Sequence, residues 1–101
     1  MRMWLVDPTR MCNAHLLGEH NEMHMFVGCI LKGISIKGYM DNGLVAVHLI
    51  RHRHEELARE MARRGFRHRS PLPEFPEFEA GYVNVEENEK ELRRRCRNCQ
   101  F

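Results

Sequence analysis

The sequence predicts an all-α fold, a single domain of three helices joined by irregular loops. At 101 residues the chain has room for one modest core. Its 43% hydrophobic and 30% charged residues are typical of a folded domain rather than a disordered one. Two stretches repeat apolar residues at helical spacing: Leu16, Met23, Val27 and Ile30, then Val47, Ile50, Leu57 and Met61.

The three helices are expected at residues 9 to 32, 42 to 64 and 85 to 96. The second ends in a basic turn followed by Gly65, a common helix stop. The third has acidic residues early and arginines late, as the helix dipole favours. Residues 70 to 82 contain three prolines, so they are expected to form an extended connector.

Nothing in the sequence predicts a membrane span or a secretory signal. No apolar run approaches the roughly 18 residues that a span needs. The start, MRMWLVDP, lacks the apolar segment of a signal peptide. We therefore expect a cytoplasmic protein, in which the cysteines at positions 12, 29, 96 and 99 are free thiols.

Charge is sorted into blocks along the chain. Residues 51 to 69 contain seven arginines against three glutamates, and four more arginines fall between residues 93 and 97. Residues 74 to 91 contain seven glutamates and one lysine. Such blocks give either a basic face that attracts phosphate or an ordinary solvated surface, and composition alone favours the second.

The stretch HLLGEHNEMH, residues 15 to 24, resembles a zinc protease motif but departs from it. His20 and His24 have the required spacing, whereas the glutamate between them is Glu22, on the far side of the helix from any metal that they share. Their expected position is solvent-facing. Among the other histidines, His54 is expected to be buried, and His48, His52 and His68 to lie on the surface.

Two other kinds of site are possible from spacing alone. Cys12 and His15, together with Cys96 and Cys99, are a conceivable zinc set, although one CxxC pair is a weak signal. Alternatively, His15, Glu19 and Glu22 fall on one line of the first helix at the edge of its apolar stripe. That line suits proton transfer, or it is simply the polar edge of an amphipathic helix.

The order of these motifs resembles the phage-type pyrimidine-dimer DNA glycosylase and abasic-site lyase family. The family's first-helix pattern His-Leu-x-x-Glu-x-x-Glu is matched by His15, Leu16, Glu19 and Glu22. The basic run ending Arg-Gly-Phe in its second helix is matched by residues 64 to 66. The likeness continues more weakly through EFEAGY to the third predicted helix.

This resemblance implies an all-α enzyme that removes a damaged pyrimidine from DNA and then nicks the abasic site. It makes the α-amine of Met1 the nucleophile and Glu22 the catalytic acid or base, with Arg2 and His15 contacting DNA. An α-amine has an ordinary pKa of about 7.7–8.0, so a useful fraction is neutral at physiological pH. Met1 is expected to be retained, because Arg2 is bulky.

Several positions depart from the family pattern. Asn21 and Met25 occupy positions where the family has arginines that bind DNA. These departures concern the pyrimidine-dimer substrate more than the glycosylase reaction. The arginines of the second predicted helix, among them Arg51, and the late cluster of Arg93, Arg94, Arg95 and Arg97 are candidate replacements that contact phosphates. The expected molecule is a monomer that needs no cofactor or metal. The alternatives are a non-catalytic DNA-binding helical module and a small zinc protein.

Overall fold

The fold is described from a computed structural model, which covers residues 1 to 68 and 70 to 101. The described residues form four α-helices, α1 (Asn13–Leu31), α2 (Lys37–Asp41), α3 (Ile50–Arg63) and α4 (Val85–Arg95). Two strands, β1 (Leu44–Ala46) and β2 (Gly81–Val83), pair with each other. Single 3₁₀ turns occur at Pro8–Arg10 and Val47–Leu49. None of these helices combines the length and apolar character that a membrane crossing requires.

The prediction of an all-α fold with three helices was therefore wrong. The second predicted helix begins eight residues late, because its first part is β1 and a 3₁₀ turn. β1 pairs antiparallel with β2, in the register Leu44–Val83 and Ala46–Gly81. A short apolar run such as residues 44 to 47 is compatible with either structure. Its partner strand begins at Gly81, after the prolines and at the end of the predicted connector, so the expectation that the connector contains no strand was wrong there.

Gly81 is the residue that allows the two strands to approach. Its backbone φ is +81°, which L side chains rarely adopt. A Cβ there would lie 2.2 Å from the carbonyl oxygen of Val45. The pairing then continues past the sheet, because Val47 donates its backbone N–H to the oxygen of Ala80 at 2.8 Å.

Helix α1 begins later than predicted because a separate turn precedes it. Asp7 caps the Pro8–Arg10 turn by accepting a hydrogen bond from the backbone of Thr9. The chain is then extended at Met11, and the Cys12 sulfur accepts the N–H of His15 at the start of α1. The helix ends at Leu31, shortly before Gly33, whose φ is +71°.

Helix α3 is fastened to the start of α1 through the buried carboxylate of Glu60. Glu60 accepts hydrogen bonds from Arg63 and Arg64, and these bonds, Arg63 first, lower its pKa to about 2. Arg64 in turn donates to the carbonyl oxygens of Pro8 and Met11 at 2.9 and 2.7 Å. The basic end of α3 therefore holds the turn that leads into α1.

Helix α4 agrees closely with its prediction. Asn84 accepts the N–H of Glu87 at the N-terminus, and the helix ends in three arginines. Its inward face carries Asn88 and Leu92, both buried. This face packs against the first residues of the chain, where Met3, Trp4 and Val6 are also buried.

Candidate functional site

The N-terminal segment is held in place by β1 and α4. The backbone N–H of Met3 donates to the carbonyl oxygen of Leu44, in β1, at 2.6 Å. From α4, the amide nitrogen of Asn88 donates to the carbonyl oxygens of Met3 and Trp4 at 3.3 and 2.8 Å. The oxygen of the same amide accepts a 2.6 Å hydrogen bond from Arg2. Residues 1 to 4 are thus a fixed part of the fold.

A buried ion pair supports the same segment from the other side. Glu19 of α1 and Arg53 of α3 are both inaccessible, and their side chains form two hydrogen bonds of 2.6 and 2.8 Å. Glu19 also accepts the N–H of Leu5 at 3.4 Å, where the backbone has a positive φ of 55°. Burial favours the neutral guanidinium, but the hydrogen bonds and charges of Glu19 and Glu56 outweigh it and raise the pKa of Arg53.

Consequently Glu19 does not share a site with Glu22, although both lie on one line of α1. Glu19 points into the core and is fully engaged by Arg53. Glu22 is partly exposed, and its Oε1 lies 3.7 Å from the α-amino nitrogen of Met1. The structure therefore brings the two predicted catalytic groups together.

Met1 and Glu22 lie in a cleft of about 410 Å³. Its lining is formed by the N-terminal segment, α1, β1 and α4, with the residues Met1, Arg2, Trp4, His15, Glu22, Leu44 and Arg95. All four groups that the resemblance implies for catalysis and its immediate DNA contacts line this cleft: the α-amine of Met1 and the side chains of Glu22, Arg2 and His15. The fifth member of the polar lining is Arg95.

Arg95 is the cleft residue that sequence reasoning did not single out from the late arginine cluster. Its guanidinium lies 5.4 Å from the centre of the Trp4 ring, and that of Arg2 lies 4.0 Å from it. Burial, and then the charge of Arg95, lower the pKa of Arg2. The sequence did contain a signal, because Arg95 follows the buried Asn88 and Leu92 at helical spacings of seven and three.

His15 faces the cleft with its ring packed edge-on against Trp4, at 5.9 Å between ring centres. Its Nδ1 lies 3.1 Å from the Cys12 sulfur and 3.5 Å from the Cys99 sulfur. Burial, and secondly the charge of Arg95, lower the pKa of His15. Both effects disfavour the charged imidazolium form of the ring.

The other three predicted DNA contacts lie outside this cleft. Arg51 donates to Glu77 and to the carbonyl oxygen of Pro73, in the connector. Arg93 donates to the Phe101 oxygen, and Arg94 is paired with Glu91 on the exposed side of α4. Surface ion pairs of this kind are weak, so these arginines stay predictions as phosphate ligands.

A second depression, of about 370 Å³, adjoins the first at Met1. It is mostly apolar and includes Met25 and Ile34, both about half exposed. Lys32 and His24 add the polar groups. Met1 is thus the boundary between a charged cleft and an apolar one.

The remaining histidines are not distributed as predicted. His20 is buried, and His24 and His68 are half-buried, so the expectation that all three face solvent was wrong. They surround His54, which is fully buried as predicted. Burial, and then the neighbouring imidazoles, lower the pKa of His20 to about 4. Only His48 and His52 are exposed as expected.

A protein-family model described as pyrimidine dimer DNA glycosylase matches residues 1 to 74.

The chain belongs to this family.

Comparison with curated proteins and with solved structures gave no significant match. The family assignment identifies a DNA glycosylase of DNA repair, whose substrate is DNA. The matched residues contain Met1, Glu22, Arg2 and His15 but end before α4. Arg95, which lines the cleft, and Asn88, which holds Arg2, therefore lie outside the matched region.

Proposed function

We propose that this glycosylase also has abasic-site lyase activity, and that the α-amine of Met1 is its nucleophile. The observation that carries the proposal is the 3.7 Å separation between that amine and the Glu22 carboxylate, inside a cleft lined by two arginines. The segment that bears the amine is fixed by its hydrogen bonds to Asn88 and to Leu44, which suits a nucleophile that has to be positioned.

In the first step the neutral amine attacks C1′ of the damaged nucleotide. The glycosidic bond breaks and its electron pair leaves with the pyrimidine, which takes up a proton. Glu22 accepts a proton from the attacking nitrogen. The nitrogen lone pair then forms the cationic imine as the C1′–O4′ bond breaks, and O4′ takes up the proton from Glu22, whose carboxylate stabilises the imine. A carboxylate beside the amine is suited to both tasks.

In the second step the imine draws electrons from the sugar. A base removes a proton from C2′, and the 3′ phosphate departs with the C3′–O electron pair, which breaks the strand. Glu22 is the nearest carboxylate for this transfer. Water then hydrolyses the imine and returns the free amine.

The cleft also suits a phosphate backbone. Arg2 and Arg95 flank Trp4, and each is held by a partner on α4, Asn88 for Arg2 and Glu91 for Arg95. Two preorganised guanidiniums beside the reactive amine suit the phosphates next to the damaged nucleotide. The apolar depression on the other side of Met1 is suited to an unstacked base, because burial of its ring offsets part of the unstacking cost.

The proposal is tested by reduction with borohydride in the presence of DNA containing an abasic site. Wild-type protein is expected to form a covalent adduct, and Glu22→Gln is expected to form it at least about 100-fold more slowly, the usual scale of general acid–base catalysis. Glu79→Gln is a matched control, because Glu79 is exposed and far along the chain from the cleft.

The competing function is a DNA-binding module without covalent chemistry. It predicts binding to the same DNA with no trapped adduct for any variant. Irradiated DNA and a set of single defined pyrimidine lesions then identify the base removed. Activity on abasic DNA without release of any damaged pyrimidine would limit the proposal to the lyase step.

A further inference from the structure

Three cysteines and one histidine converge beside the cleft. Cys12 and His15 stand at the start of α1, Cys96 at the end of α4, and Cys99 in the tail that follows. The Cys12 sulfur lies 3.9 Å from that of Cys96 and 3.1 Å from His15 Nδ1. Cys99 Sγ lies 3.5 Å from the same nitrogen, and all four ligand atoms fall within 4.8 Å of one another.

These separations match a tetrahedral zinc site. Zinc binds sulfur at about 2.3 Å and nitrogen at about 2.0 Å, which places neighbouring ligand atoms about 3.5–3.8 Å apart. A disulfide does not account for the cluster, because bonded sulfur atoms lie about 2.05 Å apart. The ligand spacing is also suitable, with two residues between Cys12 and His15 and two between Cys96 and Cys99.

We propose that Cys12, His15, Cys96 and Cys99 bind a structural zinc ion. Four protein ligands close the coordination sphere, so this metal does not act on substrate. It joins the first turn of α1 to the end of α4, two elements that carry the cleft residues His15 and Arg95. Coordination through Nδ1 leaves only Nε2 of His15 for the cleft.

Cobalt substitution tests the site directly. The protein with Co²⁺ is expected to show thiolate-to-cobalt charge-transfer bands, which only the cysteine site can give. Cys96→Ser is expected to lose them, whereas Cys29→Ser keeps them, because Cys29 lies outside the cluster. His15→Cys is expected to keep a bound metal and to strengthen the charge-transfer bands through a fourth thiolate.

Wild-type protein that takes up no cobalt with these bands would overturn the zinc site. So would their retention in Cys96→Ser or their loss in Cys29→Ser. The wild-type spectrum decides even where a variant fails to fold. Metal content is measured without DNA, so this result does not depend on the glycosylase and lyase chemistry.

A second cluster, on the opposite side of α1, consists of imidazoles alone. It contains His20, His24, His54 and His68, whose ligand atoms also lie within 4.8 Å of one another. Nε2 of His54 is 3.1 Å from Nε2 of His24 and 3.1 Å from the oxygen of Ser70. Nε2 of His20 and of His68 are buried, and neither has a hydrogen-bond partner among the described residues.

The surroundings of His54 are those of a metal ligand. Its other ring nitrogen, Nδ1, lies 2.9 Å from the Glu55 carboxylate, which orients the ring and leaves Nε2 to coordinate. Neighbouring nitrogens around a tetrahedral zinc lie about 3.3–3.4 Å apart, close to the His24–His54 distance. The geometry points to a second divalent transition-metal site at these four histidines, which fastens the segment after α3 to α1.

Zinc stoichiometry distinguishes the two sites. Wild-type protein is expected to hold two zinc ions, Cys96→Ser one, and His24→Gln one. His24→Gln should leave the thiolate bands of the cobalt form unchanged. His52→Gln, which alters an exposed histidine on the same helix as His54, should hold two. If the wild-type protein holds only the ion that Cys96→Ser removes, the histidine site is rejected and the cysteine site stands.

Discussion

Asn88 is expected to matter for both stability and catalysis, because its one side chain holds the first four residues. Asn88→Ala removes three hydrogen bonds and leaves the oxygens of Met3 and Trp4 buried without that donor. Each net hydrogen bond contributes about 1 kcal/mol, and an unsatisfied buried group costs about 1–3 kcal/mol. We therefore expect a loss of about 2–4 kcal/mol in the free energy of unfolding.

The same substitution should slow strand nicking at an abasic site. A displacement of about 1 Å in a positioned group can cost about 100-fold in rate, so single-turnover cleavage should fall by about 10- to 100-fold. Asn84→Ala is the matched control on the same helix. It removes only an exposed N-cap, so it should cost about 1 kcal/mol of stability and leave the rate unchanged.

Urea unfolding and single-turnover cleavage measure the two effects. Equal rate losses in Asn88→Ala and Asn84→Ala would refute the positioning role of Asn88. A stability loss in Asn88→Ala with an unchanged rate would show that the placement of residues 1 to 4 does not limit the reaction.

Three further predictions follow from the ion pairs and the cleft. The stability that Glu60 contributes is fully present above its unfolded pKa near 4.5 and is lost as the pH falls toward its folded pKa of about 2. Glu60→Gln should therefore lower the free energy of unfolding by about 1–3 kcal/mol at pH 7, and its stability should fall less steeply in acid than that of the wild-type protein. Glu19→Leu should lower the free energy of unfolding in urea by about 3–5 kcal/mol, because it leaves the buried Arg53 without its main partner. The double variant with Arg53→Met should recover part of that loss. Arg95→Ala should weaken DNA binding more than Arg94→Ala, and the loss of one phosphate contact should reduce the slope of log K against log salt concentration by about 0.9. Equal effects of the two substitutions would show that Arg95 does not contact DNA.

The sequence predicted best where structure depends on near neighbours. Helix α4 was predicted within one residue of its observed end, because Asn84, the early glutamates and the late arginines are local signals. β1 was missed because its partner β2 lies more than thirty residues away and follows a proline-rich connector. Contacts between distant segments leave no trace in local periodicity.

The candidate site shows the same division. The resemblance to the glycosylase family implied that the Met1 amine and Glu22 act together, and the two groups do lie close together. The helical position of His20 in α1 wrongly predicted that its side chain faces solvent. The buried face of α1 extends beyond the apolar stripe, because the helix is covered on several sides. Only the folded chain brings His54 and His68 to His20, and one spacing rule could not reveal that cluster.

The central claim is that the α-amine of Met1 attacks the sugar, and its closest rival is Lys32, which lines the adjoining depression. Proteolysis after glutamate places these two amines in different peptides, because the peptide of residues 1 to 19 contains no lysine. Mass spectrometry of the borohydride-trapped complex is expected to find the DNA adduct on that fragment, on Met1. An adduct on the fragment that contains Lys32, or undiminished trapping after selective acetylation of the α-amine, would contradict the account.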